Sequence, residues 1–204
     1  MKNVVLFGGA FDPIHNGHLD VANFVLNELK FIDEIWLMPT YHHMYDKSTV
    51  NGEHRLNMCR LAIGDNPKII VFDFEILNKL HGETYYTIKK LLDSNEYKNI
   101  NFYFLMGLDN ANTFHKWFKY DELKGLISFI VLPRENYEKQ DNAWYTKSPH
   151  IFLKNFKDVS MLSSTLIRQL LNNGIFTNNE FVYSKFIKKE VLSYIINNGL
   201  YENK

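Results

Sequence analysis

The chain has 204 residues, of which 23 are basic, 23 are acidic and one is cysteine. The balanced charge gives no general attraction for nucleic acid, so any phosphate binding must be local. The lone Cys59 excludes an internal disulfide and a cysteine-based metal cage, and no apolar stretch is long enough to span a membrane. Together with the lack of a signal-peptide pattern, these features predict a cytoplasmic protein with one domain over residues 1–204.

Short apolar runs alternate with stretches of helical spacing along most of the chain. This alternation predicts an α/β fold, a Rossmann-like doubly wound parallel sheet with helices on both faces. The predicted strands are Val4–Phe7, Glu34–Met38, Ile69–Phe72, Phe102–Met106, Ser128–Leu132 and Ile151–Leu153. The predicted helices are Gly17–Leu29, Glu53–Ile63, Thr84–Leu92 and Asn110–Phe118. Residues 135–149 are predicted to be a polar, mobile loop, and residues 160–204 to hold a small C-terminal helical cluster centred on Asn178–Leu200.

The ends of four predicted strands are expected to meet at one edge of the sheet. Parallel strands place their carboxyl ends on the same side, and ligands of such sheets bind there. The segments expected at this edge are Gly8-Gly9, Pro39-Thr40, Gly107-Leu108-Asp109 and Pro133-Arg134.

The first strand runs into Gly8 and Gly9, and His15 and His18 follow at the start of a predicted helix. Glycine has no Cβ, so a ligand can approach the backbone closely. Free N–H groups at a helix start attract phosphate. The two imidazoles can hydrogen-bond phosphate oxygens and, when protonated, can neutralise them. This order of residues predicts a nucleotide site.

A second informative segment begins with Ser163, Ser164 and Thr165, which precede an apolar helical pattern. One of these hydroxyls can act as the helix N-cap. The others, with the N–H groups of the first turn, can hold a phosphate, and Arg168 adds a charge one turn later. An ordinary capped helix with a surface arginine is the alternative.

Taken together, these segments resemble a known family. Residues 9–18, GAFDPIHNGH, are similar to the G-x-F-D-P-x-H-x-G-H signature of the nucleotidylyltransferases. Residues 163–168, SSTLIR, resemble the S-S-T-x-I-R signature of nicotinate and nicotinamide mononucleotide adenylyltransferases. Gly107, Asp109 and Trp117 resemble the G-x-D…W block of the bacterial members, including its step of eight residues from Asp to Trp. The chain therefore resembles a nicotinate-nucleotide adenylyltransferase of the bacterial type.

This resemblance implies roles for individual residues. It implies that the catalytic residues, which contact or hold phosphates, are His15, His18, Lys47 and Arg168. It implies an ATP and phosphate site formed by Gly8, Gly9, Ala10, Phe11, Arg134, Ser163, Ser164, Thr165 and Ile167. It implies a mononucleotide site formed by Thr84, Tyr85, Gly107, Asp109 and Trp117. In that site Asp109 would accept hydrogen bonds from a ribose, and Trp117 would stack on the pyridine ring.

The loop after the second strand departs from the family pattern. Residues 39–47, PTYHHMYDK, stand where bacterial members often have Pro-Pro-His-Lys, so Lys47 is the candidate replacement for the family's lysine. Ala10 replaces a common Thr or Ser, which leaves only its backbone N–H for binding. The adjacent His42 and His43 raise a metal site as an alternative, but no Cys or Asp-rich spacing supports zinc.

The implied reaction is transfer of AMP from ATP to nicotinate mononucleotide, which releases pyrophosphate and forms nicotinate adenine dinucleotide for NAD biosynthesis. Mg²⁺ is expected to accompany ATP, held mostly by phosphate and water. The alternatives are nicotinamide mononucleotide as the main or an additional acceptor, another adenylyltransferase such as the phosphopantetheine enzyme, and a nucleotide-sensing protein without turnover. The expected partners are these small molecules, without nucleic acid or membrane, and the choice between a monomer and a homo-oligomer stays open.

Overall fold

The computed structural model describes residues 1–41, 49–80, 82–156, 162–173 and 183–201. Its centre is a parallel sheet whose strands are β1 (Lys2–Gly9), β2 (Glu34–Pro39), β3 (Ile69–Val71), β4 (Ile100–Gly107), β5 (Ser128–Leu132) and β6 (Ile151–Phe152). The strands lie in the order β3-β2-β1-β4-β5-β6, and every adjacent pair is parallel. This is the doubly wound order of Rossmann-like folds. The predicted fold class is therefore confirmed.

Helices cover both faces of the sheet. They are α1 (Asn16–Glu28), α2 (Gly52–Ile63), α3 (Phe74–Leu77), α4 (Thr84–Leu92), α5 (Leu108–Asn112), α6 (Tyr120–Leu126), α7 (Ser164–Asn172) and α8 (Lys189–Asn197). Successive side chains of a strand point to opposite faces, so Val5 packs under α1, α2, α7 and α8 while Val4 and Leu6 pack under α4, α5 and α6. Two hydrophobic cores therefore share one sheet. Within the described part of the chain, no helix is long and apolar enough to cross a membrane.

The carboxyl ends of the strands line up as the sequence predicts. In the register of β1 with β2, Gly9 lies opposite Pro39, and in the register of β4 with β5, Gly107 lies opposite Leu132. The segments that follow these strands consequently meet at one edge of the sheet. The prediction of a shared edge is confirmed.

The prediction of one helix over Asn110–Phe118 is wrong. The chain leaves helical geometry at Thr113, whose hydroxyl donates to the Asp109 carbonyl at 3.0 Å, makes one 3₁₀ turn, and is extended at Trp117. Aromatic and β-branched residues are weak helix formers. Burial of the Phe114 ring, which is 1% exposed, therefore decides the path of the chain.

The description of residues 135–149 as a polar loop needs correction in its second half. Tyr145 is fully buried, and its hydroxyl donates to the Asn112 side chain at 3.1 Å. The indole N–H of Trp144 donates to the Ala111 carbonyl at 3.2 Å. These two adjacent aromatic residues fix the segment to α5 because their rings join the hydrophobic core on that face.

The short helix α3, which the sequence pattern did not predict, carries the buried carboxyl of Glu75. One oxygen of this carboxyl accepts a hydrogen bond from the Thr87 hydroxyl at 3.1 Å, and the backbone N–H of Tyr41 also donates to the group. Burial raises the pKa of Glu75 to about 7, although these hydrogen bonds and the positive charge of Arg55 oppose the rise.

Replacing Glu75 by glutamine is expected to remove a pH dependence of stability. A raised pKa in the folded state stabilises the fold below the ordinary value of 4.5, and this contribution is lost as the pH rises through about 7. Relative to Glu75→Gln, the free energy of unfolding of the natural protein should therefore fall by roughly 1–3 kcal/mol between pH 4.5 and pH 8. Urea unfolding across this range measures the difference. If the stabilities of the two proteins changed with pH in the same way, the pKa of Glu75 would not be raised in the folded protein.

Candidate active site

A cavity of about 860 Å³ opens at the carboxyl edge of the sheet, beside the ends of β1, β4 and β5. This volume lies within the range of small-molecule and nucleotide sites. The predicted site residues that line it are Gly8, Gly9, Ala10, His15, His18, Thr84, Tyr85, Gly107, Trp117, Arg134, Ser163 and Ser164. The two sequence motifs and the segments between them thus meet in one space.

The other predicted site residues do not line the cavity or lie outside the described residues. Those that are described but are not among the lining residues are Phe11, Asp109, Thr165, Ile167 and Arg168. The side chains of Phe11 and Ile167 are buried in the hydrophobic core, so only their backbone groups remain for a ligand. Lys47 lies outside the described residues, as do His42 and His43.

Residues 9–15 form the turn between β1 and α1, and its backbone path is tightly constrained. Phe11 adopts a φ of 49°, in the left-handed region that side chains rarely occupy. A Cβ at Gly9 would lie 3.3 Å from the Phe11 ring, which leaves little room for a side chain there. The Phe11 ring also contacts the His18 imidazole, with 4.9 Å between ring centroids. The β1–α1 turn therefore wraps around Phe11.

The imidazoles of His15 and His18 lie against each other, with 3.7 Å between their ring centroids. The backbone N–H of His15 donates to Nδ1 of His18 at 3.2 Å. Because Nδ1 accepts this bond, a neutral His18 must carry its proton on Nε2, which can then donate to a ligand. Nδ1 of His15 is buried and has no partner in the described part of the chain.

Both histidines enter the site as neutral rings. Burial, together with the positive charge of Arg134, lowers the pKa of His15 to about 4. Burial, His15 and Arg134 also lower the pKa of His18 well below its ordinary value. Near pH 7 these imidazoles therefore offer hydrogen bonds rather than positive charge, and Arg134 supplies a formal cation to the cavity wall. An incoming phosphate would raise both pKa values.

The expectation of free N–H groups at the start of α1 is wrong for three of them. The N–H of Asn16 donates to the Phe186 carbonyl at 2.9 Å. The N–H of His18 donates to the His15 carbonyl at 3.0 Å, and the N–H of His15 already binds the His18 ring. Packing of Phe186 against this helix start satisfies one of the three donors, and the helix start itself satisfies the other two.

The two serine hydroxyls at the start of α7 make hydrogen bonds within the protein, and both serines also line the cavity. Ser163 is the N-cap, and its Oγ accepts a hydrogen bond from the Leu166 N–H at 3.1 Å, which confirms the predicted cap. The Ser164 hydroxyl donates to the Pro13 carbonyl at 2.9 Å. Both serines line the cavity, so α7 and the β1–α1 turn form one continuous wall.

Arg55 is a buried residue of the site to which the sequence analysis gave no role. Its guanidinium donates to the carbonyls of Ala10 at 2.8 Å, Thr40 at 2.6 Å and Val50 at 2.9 Å. These bonds join the segments that follow β1 and β2. The available signal was its spacing, because Arg55 shares a helical face with the buried Cys59.

Another part of the cavity wall is aromatic. Trp117 and Phe118 line it together with Phe104, whose ring meets Trp117 edge-on at 6.3 Å. Thr84 and Tyr85 enter the wall from the first turn of α4. This part of the wall has the flat apolar surface that a heteroaromatic ring can stack on.

Asp109 lies at the start of α5, and its carboxyl is close to Gly107 and Arg134, which line the cavity. Its Oδ1 is buried and has no hydrogen-bond partner among the described residues. A Cβ at Gly107 would collide with this oxygen, so any larger residue there would displace the Asp109 side chain from its position over the backbone. A buried acceptor without a partner is costly, and a bound hydroxyl would satisfy it.

A doubly wound parallel sheet that carries a glycine-containing turn, paired histidines and an arginine around a cavity at its carboxyl edge defines the class of Rossmann-like nucleotidyltransferases.

Comparisons with known proteins identify the branch within this class. Residues 6–170 match the Cytidylyltransferase-like family. The nicotinate-nucleotide adenylyltransferase of Bacillus subtilis is 34% identical over 207 aligned residues, covering 100% of both chains. The Plasmodium falciparum nicotinic acid mononucleotide adenylyltransferase complexed with NaAD has a TM-score of 0.79 and 27% identity, with 98% of each chain covered. The same enzyme complexed with APC has a TM-score of 0.78. The chain belongs to the nicotinate-nucleotide adenylyltransferase family.

The neutral state of His15 can be measured directly. In the ligand-free protein its ring should remain uncharged at pH 7, because burial lowers its pKa to about 4. Ring chemical shifts followed by NMR from pH 4 to 8 report the titration, and a His15→Ala variant identifies the signal. A titration midpoint near the ordinary value of 6.5 would show that the ring is not enclosed as described.

Proposed function

We propose that the protein transfers AMP from ATP to nicotinate mononucleotide and thereby forms nicotinate adenine dinucleotide and pyrophosphate, a step of NAD biosynthesis. The observation that carries this proposal is one cavity whose wall contains both the polar side chains of His15, His18 and Arg134 and the aromatic ring of Trp117. A triphosphate suits the polar side chains, and a pyridine nucleotide suits the aromatic ring. The names of the relatives support the same pair of substrates. A cytoplasmic location is part of the proposal.

In the proposed reaction an oxygen of the acceptor's 5′-phosphate attacks the α-phosphorus of ATP. A new P–O bond forms as the bond to the bridging oxygen of the β-phosphate breaks, and pyrophosphate leaves in line. The acceptor phosphate is already ionised at pH 7, so no general base is needed. Catalysis then depends on positioning and on stabilisation of developing charge. His18 would donate its Nε2–H to a phosphate oxygen, and Arg134 would supply positive charge.

Mg²⁺ is proposed to enter as a complex with ATP. In the described ranges, no three His, Cys, Asp or Glu side chains converge to hold a metal ion. Mg²⁺ prefers phosphate oxygens and water as ligands, so ATP itself would hold most of the ion's coordination sites. When bound, the ion would neutralise phosphate charge.

We propose that the acceptor is nicotinate mononucleotide, which carries a carboxylate, rather than nicotinamide mononucleotide, which carries an amide. Thr84 lies in the first turn of α4, a helix of nine residues whose N-terminal end favours negative charge. Lys116 also lines the cavity, whereas Glu83 opposes an anion there. The decisive test compares kcat/KM for nicotinate and nicotinamide mononucleotides by pyrophosphate release. A larger value for the amide would reverse the choice, and binding of the dinucleotide without any release would favour a sensing protein.

A His18→Ala variant is expected to lower kcat by at least about a hundredfold, because a donor aimed at developing charge contributes most in the transition state. Pyrophosphate release under saturating substrates measures the loss. His115→Ala is the control, since His115 is exposed and lies outside the cavity lining. Unchanged turnover in His18→Ala would remove His18 from the mechanism.

A Trp117→Ala variant is expected to raise KM for the mononucleotide much more than KM for ATP, because only the pyridine ring would stack on the indole. Steady-state kinetics with each substrate varied in turn separate the two constants. Equal increases in both would indicate that Trp117 only packs against its neighbours Phe104 and Phe114.

A further inference from the structure

A buried hydrogen-bond network joins the β1–α1 turn to the segment that follows α8. The side chain of Asp12 is only 3% exposed. Its Oδ1 accepts hydrogen bonds from the Tyr201 hydroxyl at 2.6 Å and from the Val50 N–H at 3.2 Å. Its Oδ2 lies 3.9 Å from Nη1 of Arg168. One carboxylate therefore collects partners from three distant parts of the chain.

Asp12 also determines where the charge of Arg168 lies. Nη1 of Arg168 donates to the Asp12 carbonyl at 2.7 Å, and Nη2 donates to the Thr165 hydroxyl at 3.2 Å. These two bonds fix the plane of the guanidinium. Arg168 extends from α7, whose Ser163 and Ser164 line the cavity, so its tie to Asp12 holds two parts of the wall together.

Tyr201 is held in place by structure that does not touch the cavity. It adopts a φ of 64° shortly after Gly199, whose φ is 56°, and this bend turns the chain back towards the sheet. The preceding helix α8 packs against α2 through its buried side chains Val191, Leu192 and Ile195. The Tyr194 hydroxyl adds polar contacts at the surface of this packing, 2.9 Å from Nδ1 of His54 and 3.1 Å from Nδ2 of Asn57. The Tyr201 hydroxyl therefore reaches the β1–α1 turn from an anchored segment.

The charge state of Asp12 depends on this contact. Burial raises the pKa of Asp12, whereas the hydrogen bonds from Tyr201 and Val50 and the charges of Arg168 and Arg55 lower it. Among the described residues, Arg168 from α7, Arg55 from α2 and Tyr201 after α8 are the titratable and charged groups that act on the carboxyl. Of the interactions that lower the pKa of Asp12, the hydrogen bond from Tyr201 is the largest, and loss of the Tyr201 hydroxyl would remove it.

We propose that Tyr201 is a positioning residue for the transfer reaction: its hydroxyl fixes the Asp12 carboxylate and, through it, Arg168 and the β1–α1 turn in the geometry that receives the triphosphate. The inference rests on the proposed function, because it takes the part of the cavity beside the β1–α1 turn as the ATP site. Tyr201 itself is not among the residues that line the cavity, so it acts through Asp12.

The test compares Tyr201→Phe with Tyr194→Phe. Each variant removes one tyrosine hydroxyl near the same helix, but only the first loses a contact with the β1–α1 turn. Tyr201→Phe should lower kcat/KM for ATP about tenfold, the usual effect of a lost hydrogen bond to a charged group, with little change in KM for the mononucleotide. Tyr194→Phe should keep both constants.

Two further measurements separate positioning from general loss of stability. The acid limb of the pH–rate profile should move to higher pH in Tyr201→Phe, because without the Tyr201 hydroxyl Asp12 would be protonated at a higher pH. In an Asp12→Asn background, adding Tyr201→Phe should cause little further loss, since residues that act as a unit are not additive. Asp12→Asn alone should show the same loss selective for ATP, which keeps the test valid if Tyr201→Phe folds poorly.

The failures of the two proposals can be told apart. No pyrophosphate release by the natural protein would contradict the proposed function, and the dissociation constant of a non-hydrolysable ATP analogue would then test Tyr201, with about tenfold weaker binding expected in Tyr201→Phe. Unchanged ATP constants in Tyr201→Phe would overturn the inference. So would an equal loss in Tyr194→Phe, or full additivity with Asp12→Asn.

Discussion

The site depends first on the position of β1. This strand pairs with β2 on one side and β4 on the other, so it borders the crevice where the strand order reverses. Val4 and Leu6 belong to one hydrophobic core and Val5 belongs to the other, so both cores hold the strand in register. The positions of Gly8 and Gly9 follow from that register, and the cavity forms directly beyond them.

The charged residues around this crevice divide into two groups. Glu83, Lys116 and Arg134 line the cavity. Asp12, within the β1–α1 turn, and Arg55, which binds the Ala10 carbonyl of that turn, are buried and do not line it. Buried charges add little net stability even when paired, but removing one partner is costly. Asp12 and Arg55 therefore specify the geometry of the turn rather than bind the substrate. The neutral pair His15 and His18 is consistent with this division, since the turn itself offers polar contacts instead of charge.

Much of the fold could be predicted because its signals are local. Apolar runs bounded by turn residues located all six strands to within two residues, and parallel topology then placed their ends together. The N-cap at Ser163 was likewise visible in the sequence. The end of the helix at Thr113 was not visible in the sequence, because burial of the Phe114 ring outweighs the helical spacing of the apolar residues there. The contact of Asp12 with Tyr201 was also not visible, because it joins residues 189 positions apart and leaves no periodic pattern. The protonation of His15 depends on burial, which spacing does not report.

These long-range contacts affect how the protein is made. Arg168 meets Asp12 across 156 residues, and Tyr201 meets it across 189. During synthesis the sheet and most of its helices can form from the earlier part of the chain, while the Asp12 carboxyl still lacks two of its partners. The β1–α1 turn therefore leaves the ribosome long before the residues that complete it. A partly synthesised chain can be largely folded and still hold an unfinished nucleotide site.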